Sequence, residues 1–573
     1  MTRARAAQAQ WLWVVPLALA LAVLACTAWA YLSNAYAYID NGDGLYLYPA
    51  QRLARGATLY REAVATQPPV VYVLAALVFK MGWGVPGVRL LSVLMRALCV
   101  ALVYLLGARV FARRIVGSLA ALLYALLPIG LTWDHWDNSN SPLTLVVLLS
   151  AYVLVRLSPR AAIVSGLLAA LAIFTKDLYL PLLAATLLYL WRVRRALLAP
   201  YLAALLGGIG LLSGLLVLYG GASAWRDAFL GQDSSPLNAD WLVASLAYVA
   251  MLEGGFIVVA VVGVLVCLHL LPPTHDDWPP DPSRGSTVQR ALPCAGEGGS
   301  SDYSLAQRRV GAIWGRGTLA TLPARPWFNT TTGEQRTARL FLPYLLAGSA
   351  AVLLATLKEG TFGTVFALAE PAVALLTAFT IVWAIQAIGA RRRHAPLWAG
   401  VLVLACVSCL GLIGPDRDAI FTSAASNANA AAVRDVVALI RRHAAPGTVV
   451  LAPPYDAVLT GTRLPYDISD TYILAQRANH GDPVAVSWVR GMAQAVAHGR
   501  YPVVVVDRHI ALFAPVMAAL RRAYHPVYAD GLPPAVQSMV WLPGRAGGRL
   551  SLACPPFLCP HSGFRMLGLP RRQ

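Results

Sequence analysis

Between Trp11 and Ile413 the chain repeats one pattern: about eleven apolar runs separated by short polar turns, most of them near the roughly 20 residues a helix needs to cross a bilayer. The runs are Trp11–Leu32, Arg89–Phe111, Ile115–Trp133, Pro142–Leu157, Ala161–Thr175, Leu178–Trp191, Ala199–Tyr219, Trp241–Leu271, Leu340–Leu357, Pro371–Ile388 and Leu397–Ile413. Hydrophobic residues make up 58 % of the 573 residues and charged residues 13 %. A soluble globule carries about twice that charged fraction. The pattern excludes a disordered chain, a coiled coil, a disulfide mini-protein and an ordinary soluble enzyme, and it predicts a polytopic α-helical membrane protein.

Arginine placement sets the expected orientation. Of 46 basic residues only Lys80, Lys176 and Lys358 are lysines, and the net charge is +19. The turns holding Arg109, Arg113 and Arg114, then Arg156 and Arg160, then Arg192, Arg194 and Arg195, and later Arg391, Arg392 and Arg393 alternate with arginine-poor ones. Cytoplasmic turns collect such residues, so the N-terminus is expected inside and the C-terminus outside; the Arg-, Ala-, Leu- and Val-rich composition of a GC-rich coding sequence favours a bacterial cell membrane. Met1–Gln10 carries Arg3 and Arg5, but the run behind it is too long for a cleaved signal peptide. No basic patch interleaved with aromatics suggests nucleic acid. Cys26, Cys99, Cys267, Cys406 and Cys409 lie in apolar runs and read as small buried hydrophobes; Cys554 and Cys559 are placed to pair if the tail is outside.

Two long polar stretches divide the chain. Residues 1–271 form an N-terminal membrane region, 272–339 a cytoplasmic, Pro/Gly/Arg-rich and poorly ordered insertion, and 340–414 the last membrane helices. Residues 415–543 alternate helical and strand patterns: a helix over Ala430–His443, buried strands over Thr448–Leu451 and Tyr501–Asp507, and a helix over His509–Tyr524. This predicts a small extracytoplasmic α/β domain, followed by a disordered tail over 544–573.

The polar residues cluster at one expected face. Asp40 and Asp43 follow the first run, and Asn41-Gly42 also reads as a simple turn. Asp134, His135, Asp137 and Asn140 fill the second outside turn, where a helix cap is the plainer reading and a metal the sharper one. All three lysines fall at outside ends of apolar runs, against the positive-inside rule. An ammonium there either snorkels to the interface or holds an anion; for Lys80 snorkelling is favoured, and for Lys176 and Lys358 both readings stand.

These residues carry a resemblance. Asp43-Gly44-Leu45-Tyr46, then Gly56, Tyr60 and Gln67-Pro68-Pro69, resembles the first outside loop of GT-C-fold glycosyltransferases, the protein O-mannosyltransferase and lipid A aminoarabinose transferase superfamily. Asp137 resembles the family's second-loop acid, Thr175-Lys176 its Thr-Lys-Gly with Asp177 for the glycine, and Lys358-Glu359-Gly360 with Glu370-Pro371 a later loop. The resemblance spans most of residues 11–415 and implies a GT-C-like membrane fold. It also implies transfer of a sugar from a polyprenyl-phosphate donor to a glycan, lipid or protein acceptor of the cell envelope, with inversion. Asp43 would then be the general base, and Asp137 would position acceptor or sugar. Lys176, Lys358 and Arg52 would hold the donor phosphate, and Asp40, Asp134, His135, Tyr46, Gln67 and Glu359 would line the acceptor or sugar site.

Two positions depart from the family. Gly44 stands where a second acid is common, and Thr66-Gln67 stands where some members have Glu-Lys. No cofactor is therefore expected, and the loss of a ligand argues against a divalent metal. A transporter or lipid-handling protein without sugar chemistry, or an inactive GT-C relative, is the alternative reading.

Overall fold

The computed structural model describes residues 3–33, 41–133, 140–230, 237–268, 332–358, 363–389, 395–411, 423–507, 509–529 and 538–544. Helices dominate. In chain order they are α1 (Arg3–Ser33), α2 (Asn41–Ala54), α3 (Val70–Lys80), α4 (Gly84–Val110), α5 (Arg114–Leu126), α6 (Pro128–Trp133) and α7 (Asn140–Leu154). Then follow α8 (Pro159–Thr175), α9 (Leu180–Val193), α10 (Leu198–Gly220), α11 (Ala222–Leu230), α12 (Ala239–Cys267), α13 (Thr332–Ala351), α14 (Glu370–Gly389) and α15 (Ala395–Gly411). The C-terminal unit adds α16 (Ser423–His443), α17 (Pro454–Thr460), α18 (Thr471–Asn479), α19 (Pro483–Ala497) and α20 (Ala514–Ala523), with strands β1 (Val504–Val506), β2 (Tyr524–Ala529) and β3 (Met539–Pro543).

Among the described residues six helical segments are long and apolar enough to cross a membrane: Trp13–Ala30, Gly84–Val110, Arg195–Gly220, Ala239–Cys267, Thr337–Leu357 and Glu370–Gly389. Shorter apolar helices, α5, α7, α8 and α15 among them, occupy other expected runs. The bundle is held by one continuous apolar core drawn from α1, α4–α10 and α12–α15. Small residues let the helices approach closely: a Cβ on Gly117 would lie 2.5 Å from the Tyr104 carbonyl, and one on Gly166 would meet that of Tyr201. Cys99 and Cys267 are buried as expected, but Cys26, Cys406 and Cys409 are exposed on helix surfaces. Lipid is as apolar as the bundle interior, so such side chains need no burial within protein.

The run Ile115–Trp133 is not one helix. Leu127 is extended (φ −61°, ψ 125°) before Pro128, so α5 stops and α6 begins. Proline lacks the N–H that would close the turn and disfavours a helical residue before it. The insertion expected over 272–339 lies largely outside the described residues, but its last part, 332–339, is helical and opens α13. The polar start Thr332-Gly333-Glu334-Gln335-Arg336 hid that helix from an apolar-run reading. The expected tail lies outside the described residues beyond Gly544.

The C-terminal unit is α/β, with a three-stranded antiparallel sheet in the order β1-β3-β2. The strand expected over Thr448–Leu451 is reduced to single bridges, Val449 to Arg463 and Leu451 to Val504. The helix expected over His509–Tyr524 starts only at Ala514, after a short turn, because Pro515 fits a first helical turn but not an interior. One apolar core belongs largely to this unit. The other is shared: Leu47, Tyr48, Ala75, Val78 and Val85 pack with Val436, Ile440, Val450, Tyr455 and Val505. The first loop and the C-terminal unit therefore bury one another.

Candidate functional site

Helix α2 carries the motif of the first loop. Asp43 is its third residue, in the turn where a carboxylate is favoured by the helix N-terminus. Tyr46, one turn on, is buried and packs with Tyr72, ring centroids 5.9 Å apart. Both belong to an apolar cluster with Tyr60, Val71, Phe174, Leu216 and Ala224. Phe174 lies two residues before Lys176, so α2 and the end of α8 meet at one end of the bundle. Gln67 is buried, and its carbonyl accepts the Tyr60 hydroxyl at 2.5 Å. Tyr60 has φ +67°, a conformation side chains rarely adopt, and burial pushes its hydroxyl well above the usual phenol range, helped by Asp227.

Lys176 leaves α8 with extended backbone, and its Nζ donates to Asn140 Oδ1 at 3.1 Å. Asn140 opens α7, directly after the segment that holds Asp134, His135 and Asp137. The turn after Lys176 (Asp177–Tyr179) packs on the turn Val352–Leu357, which ends at Lys358. Lys358 is held by an antiparallel bridge to Leu237, with Asn238 N–H donating to Leu357 O at 2.7 Å. Backbone packing thus brings α2, the Lys176 turn, the start of α7 and the Lys358 turn to one region. Asp40, Asp134, His135, Asp137 and Glu359 lie outside the described residues, as does the Asp43 side chain. Lys80, at the end of α3, is exposed. No cluster of His, Cys, Asp and Glu with metal-site geometry occurs among the described residues.

Arg52 has a carboxylate partner. Its Nε lies 3.2 Å from Asp467 Oδ1, and its guanidinium also donates to Oδ2 at 3.3 Å. Arg463 donates to the same Oδ2 at 2.6 Å, and the Tyr48 hydroxyl donates to Oδ1 at 2.6 Å. That hydroxyl also accepts Leu464 N–H at 2.8 Å. Burial and the Asp467 carboxylate push the Tyr48 hydroxyl far up, and Asp467 in turn raises the Arg463 guanidinium. Asp467 sits at φ +50° beside Tyr466 at φ +56°, a strained pair that the surrounding contacts hold in place. Val64 N–H donates to Asp467 O, Ser469 to Val64 O, and Thr66 to Asp470 at 3.2 Å. Sequence reading missed this latch because Tyr48 and Asp467 stand 419 residues apart.

The latch also explains Gly44. A Cβ there would lie 2.7 Å from Pro454 Cβ and 2.8 Å from Tyr455 N. At the position where the resemblance implies a second acid, this chain packs the start of α17. Tyr455 in turn accepts from the buried Arg89 of α4 at 3.2 Å.

Residues 66–219, from Thr66 to Tyr219 in the last turn of α10, match the family model described as dolichyl-phosphate-mannose-protein mannosyltransferase. ArnT from Cupriavidus metallidurans in the apo state is similar in structure, with a TM-score of 0.53 at 12 % identity over 93 % of this chain and 98 % of that one. The chain has the GT-C fold. The same ArnT bound to undecaprenyl phosphate matches with a TM-score of 0.52, at 12 % identity over 92 % of this chain and 97 % of that one. No curated protein sequence matches significantly. The GT-C match takes in the C-terminal unit as well as the membrane bundle, so the latch joins two parts of one fold.

Proposed function

We propose that the protein is an integral-membrane, inverting glycosyltransferase that moves a sugar from a polyprenyl-phosphate donor to a hydroxyl of an extracytoplasmic glycan, lipid or protein. The observation that supports it most is the convergence of the α2 motif with Lys176 and Asn140 inside a full-length GT-C fold. The donor's lipid tail lies in the bilayer, and its phosphate is held by Lys176 and Lys358. Asp43 takes the acceptor proton as the acceptor oxygen attacks the anomeric carbon. The bond from that carbon to the phosphate oxygen breaks, and its electron pair stays on the phosphate, stabilised by the lysine ammonium groups. Asp137 orients acceptor or sugar. Asp40, Asp134, His135, Tyr46, Gln67 and Glu359 complete the sugar and acceptor surfaces. Arg52 joins the phosphate set only if donor binding draws it from Asp467. The N-terminus is cytoplasmic and the C-terminal unit outside.

The test is transfer of radiolabelled sugar from a panel of polyprenyl-phosphate sugars in purified membranes, with and without chelator. Asp43→Asn should lower transfer by about 100-fold or more. Transfer equal to wild type in that variant removes Asp43 as base, and no transfer from any donor by folded wild-type protein favours a lipid-handling role.

A further inference from the structure

Among the described residues, Arg96 of α4, Glu253 of α12 and Glu370 at the start of α14 are enclosed in the bundle around one helix break, each no more than 1 % exposed; Arg89 of α4 is equally buried but faces Tyr455. Charges at such depth are costly and need fixed partners. The partners of Arg96, Glu253 and Glu370 are the backbone groups that the break at Pro128 leaves open. In a continuous helix the Tyr124 carbonyl would accept from residue 128, and Pro128 has no N–H. Arg96 donates to that carbonyl at 2.5 Å, and its guanidinium lies over the Tyr124 ring, 3.9 Å from the centroid. Beyond the break, Gly130 N–H donates to Glu370 Oε1 at 2.6 Å and Ile129 N–H to Glu253 Oε1 at 3.3 Å. Arg96 closes the set on Glu370 Oε2 at 3.4 Å. There is no room for another group: a Cβ on Gly130 would meet the Glu370 carboxylate and the Arg96 guanidinium.

Broken helices persist inside membranes only where the freed backbone groups are satisfied by protein. Here the satisfaction comes from three helices distant in sequence, and the piece they hold is short. Helix α6 ends at Trp133, and the next residues are Asp134, His135, Trp136 and Asp137.

We infer that Arg96, Glu253 and Glu370 are positioning residues that splint the α5–α6 break and so fix the place of α6, the element from which the second outside turn starts. This rests on the glycosyltransferase reading for its kinetic consequence, but not for its structural one. Displacing a positioned group by about 1 Å can cost on the order of 100-fold in rate. Donor phosphate binding at Lys176 and Lys358 should be unaffected.

The experiment compares full-length wild type with Glu370→Gln, Glu253→Leu and the charge-neutral double variant Arg96→Met/Glu370→Gln, all in detergent or nanodiscs. Hydrogen exchange is read over residues 128–140 and, as a control, over 163–175. Binding of undecaprenyl phosphate and transfer are measured on the same samples. The inference expects exchange to rise at least about tenfold over 128–140 and not over the control. It expects transfer kcat to fall at least tenfold in Glu253→Leu, lipid Kd to stay within twofold, and Glu370→Gln, which keeps an acceptor for Gly130, to lose less than the double variant. Unchanged local exchange in a folded variant overturns it. A rise in exchange across both segments, or loss of lipid binding in step with transfer, also overturns it, because the trio would then only hold the bundle together. If wild type shows no transfer, the glycosyltransferase reading fails while the local exchange result still decides the splint.

Discussion

The Tyr48 hydroxyl donates to Asp467 at 2.6 Å, joining the first loop to the C-terminal unit through one carboxylate that also receives Arg52 and Arg463. Removing one buried hydrogen bond to a charged group costs about 1.5–3 kcal/mol. Tyr48→Phe should therefore lower thermal stability modestly. Asp467→Ala should lower it more, since it leaves two guanidinium groups and a hydroxyl without their acceptor. Scanning fluorimetry ranks the two, and limited proteolysis between residues 411 and 430 should speed up in the same order.

Arg52 separates two roles. If its place is the latch, Arg52→Gln lowers stability and leaves the donor KM near wild type. Lys176→Met and Lys358→Met should instead raise donor KM by tenfold or so with little change in melting temperature. Steady-state kinetics beside melting curves distinguishes them. A donor KM effect in Arg52→Gln without loss of stability would return Arg52 to the phosphate site.

Gly44 is a contact, not a spare position. Gly44→Asp would restore the acid common among relatives, yet its Cβ would collide with Pro454 and the Tyr455 backbone. The expected result is an undocked C-terminal unit and lower transfer. Gly44→Ala should show the same direction to a smaller degree, because the clash begins at Cβ. Cross-linking between engineered cysteines at residues 51 and 458 reads docking directly: Gln51 donates to Val458 O at 2.9 Å in the docked unit.

Asp470 and Asp507 should respond to pH in opposite ways. Burial raises the Asp470 carboxyl, against hydrogen bonds from Ile473 N–H and Thr66 that pull it down. Its folded state holds the proton more tightly than the unfolded chain, so its contribution is present at low pH and lost as pH rises through the folded value. Burial also pushes Asp507 up, but His509 and the N–H groups of Ile510 and His509 outweigh it and hold it below the usual range. That contribution is present above the unfolded value of about 4 and lost as pH falls through the folded one. Asp507→Asn should therefore cost about 1–2 kcal/mol at pH 7 and less at about pH 3, below the unfolded value. Asp470→Asn, whose oxygen keeps the cap to Ile473 N–H while its amide donates to Thr66 Oγ1, should be neutral or stabilising at pH 7. Melting temperatures at the two pH values test both signs.

Much of the fold is legible in the chain because a membrane helix is a local object: about 20 apolar residues satisfy their own backbone and need no knowledge of their neighbours. The runs from Trp11 to Ile413 could be drawn that way, and the resemblance around Asp43, Lys176 and Gln67-Pro68-Pro69 pointed to the GT-C fold. Locality also set the failures. Pro128 was visible, but whether it would bend or break the run depended on Arg96, Glu253 and Glu370. The strand at Thr448–Leu451 had the right composition but found only single bridging partners.

What the sequence by itself determined is the membrane architecture, the α/β character of the C-terminal unit, and the residue types offered for chemistry. What only the tertiary structure decided is the pairing. Arg52 could serve a phosphate or a protein carboxylate, and it meets Asp467 because α2 and Leu464, three residues before it, bury a common core. Gly44 looked like a missing acid until α17 was seen to occupy its place. Ion pairs and close approaches depend on distances in space, and distances between residues hundreds apart in the chain exist only after the helices have packed.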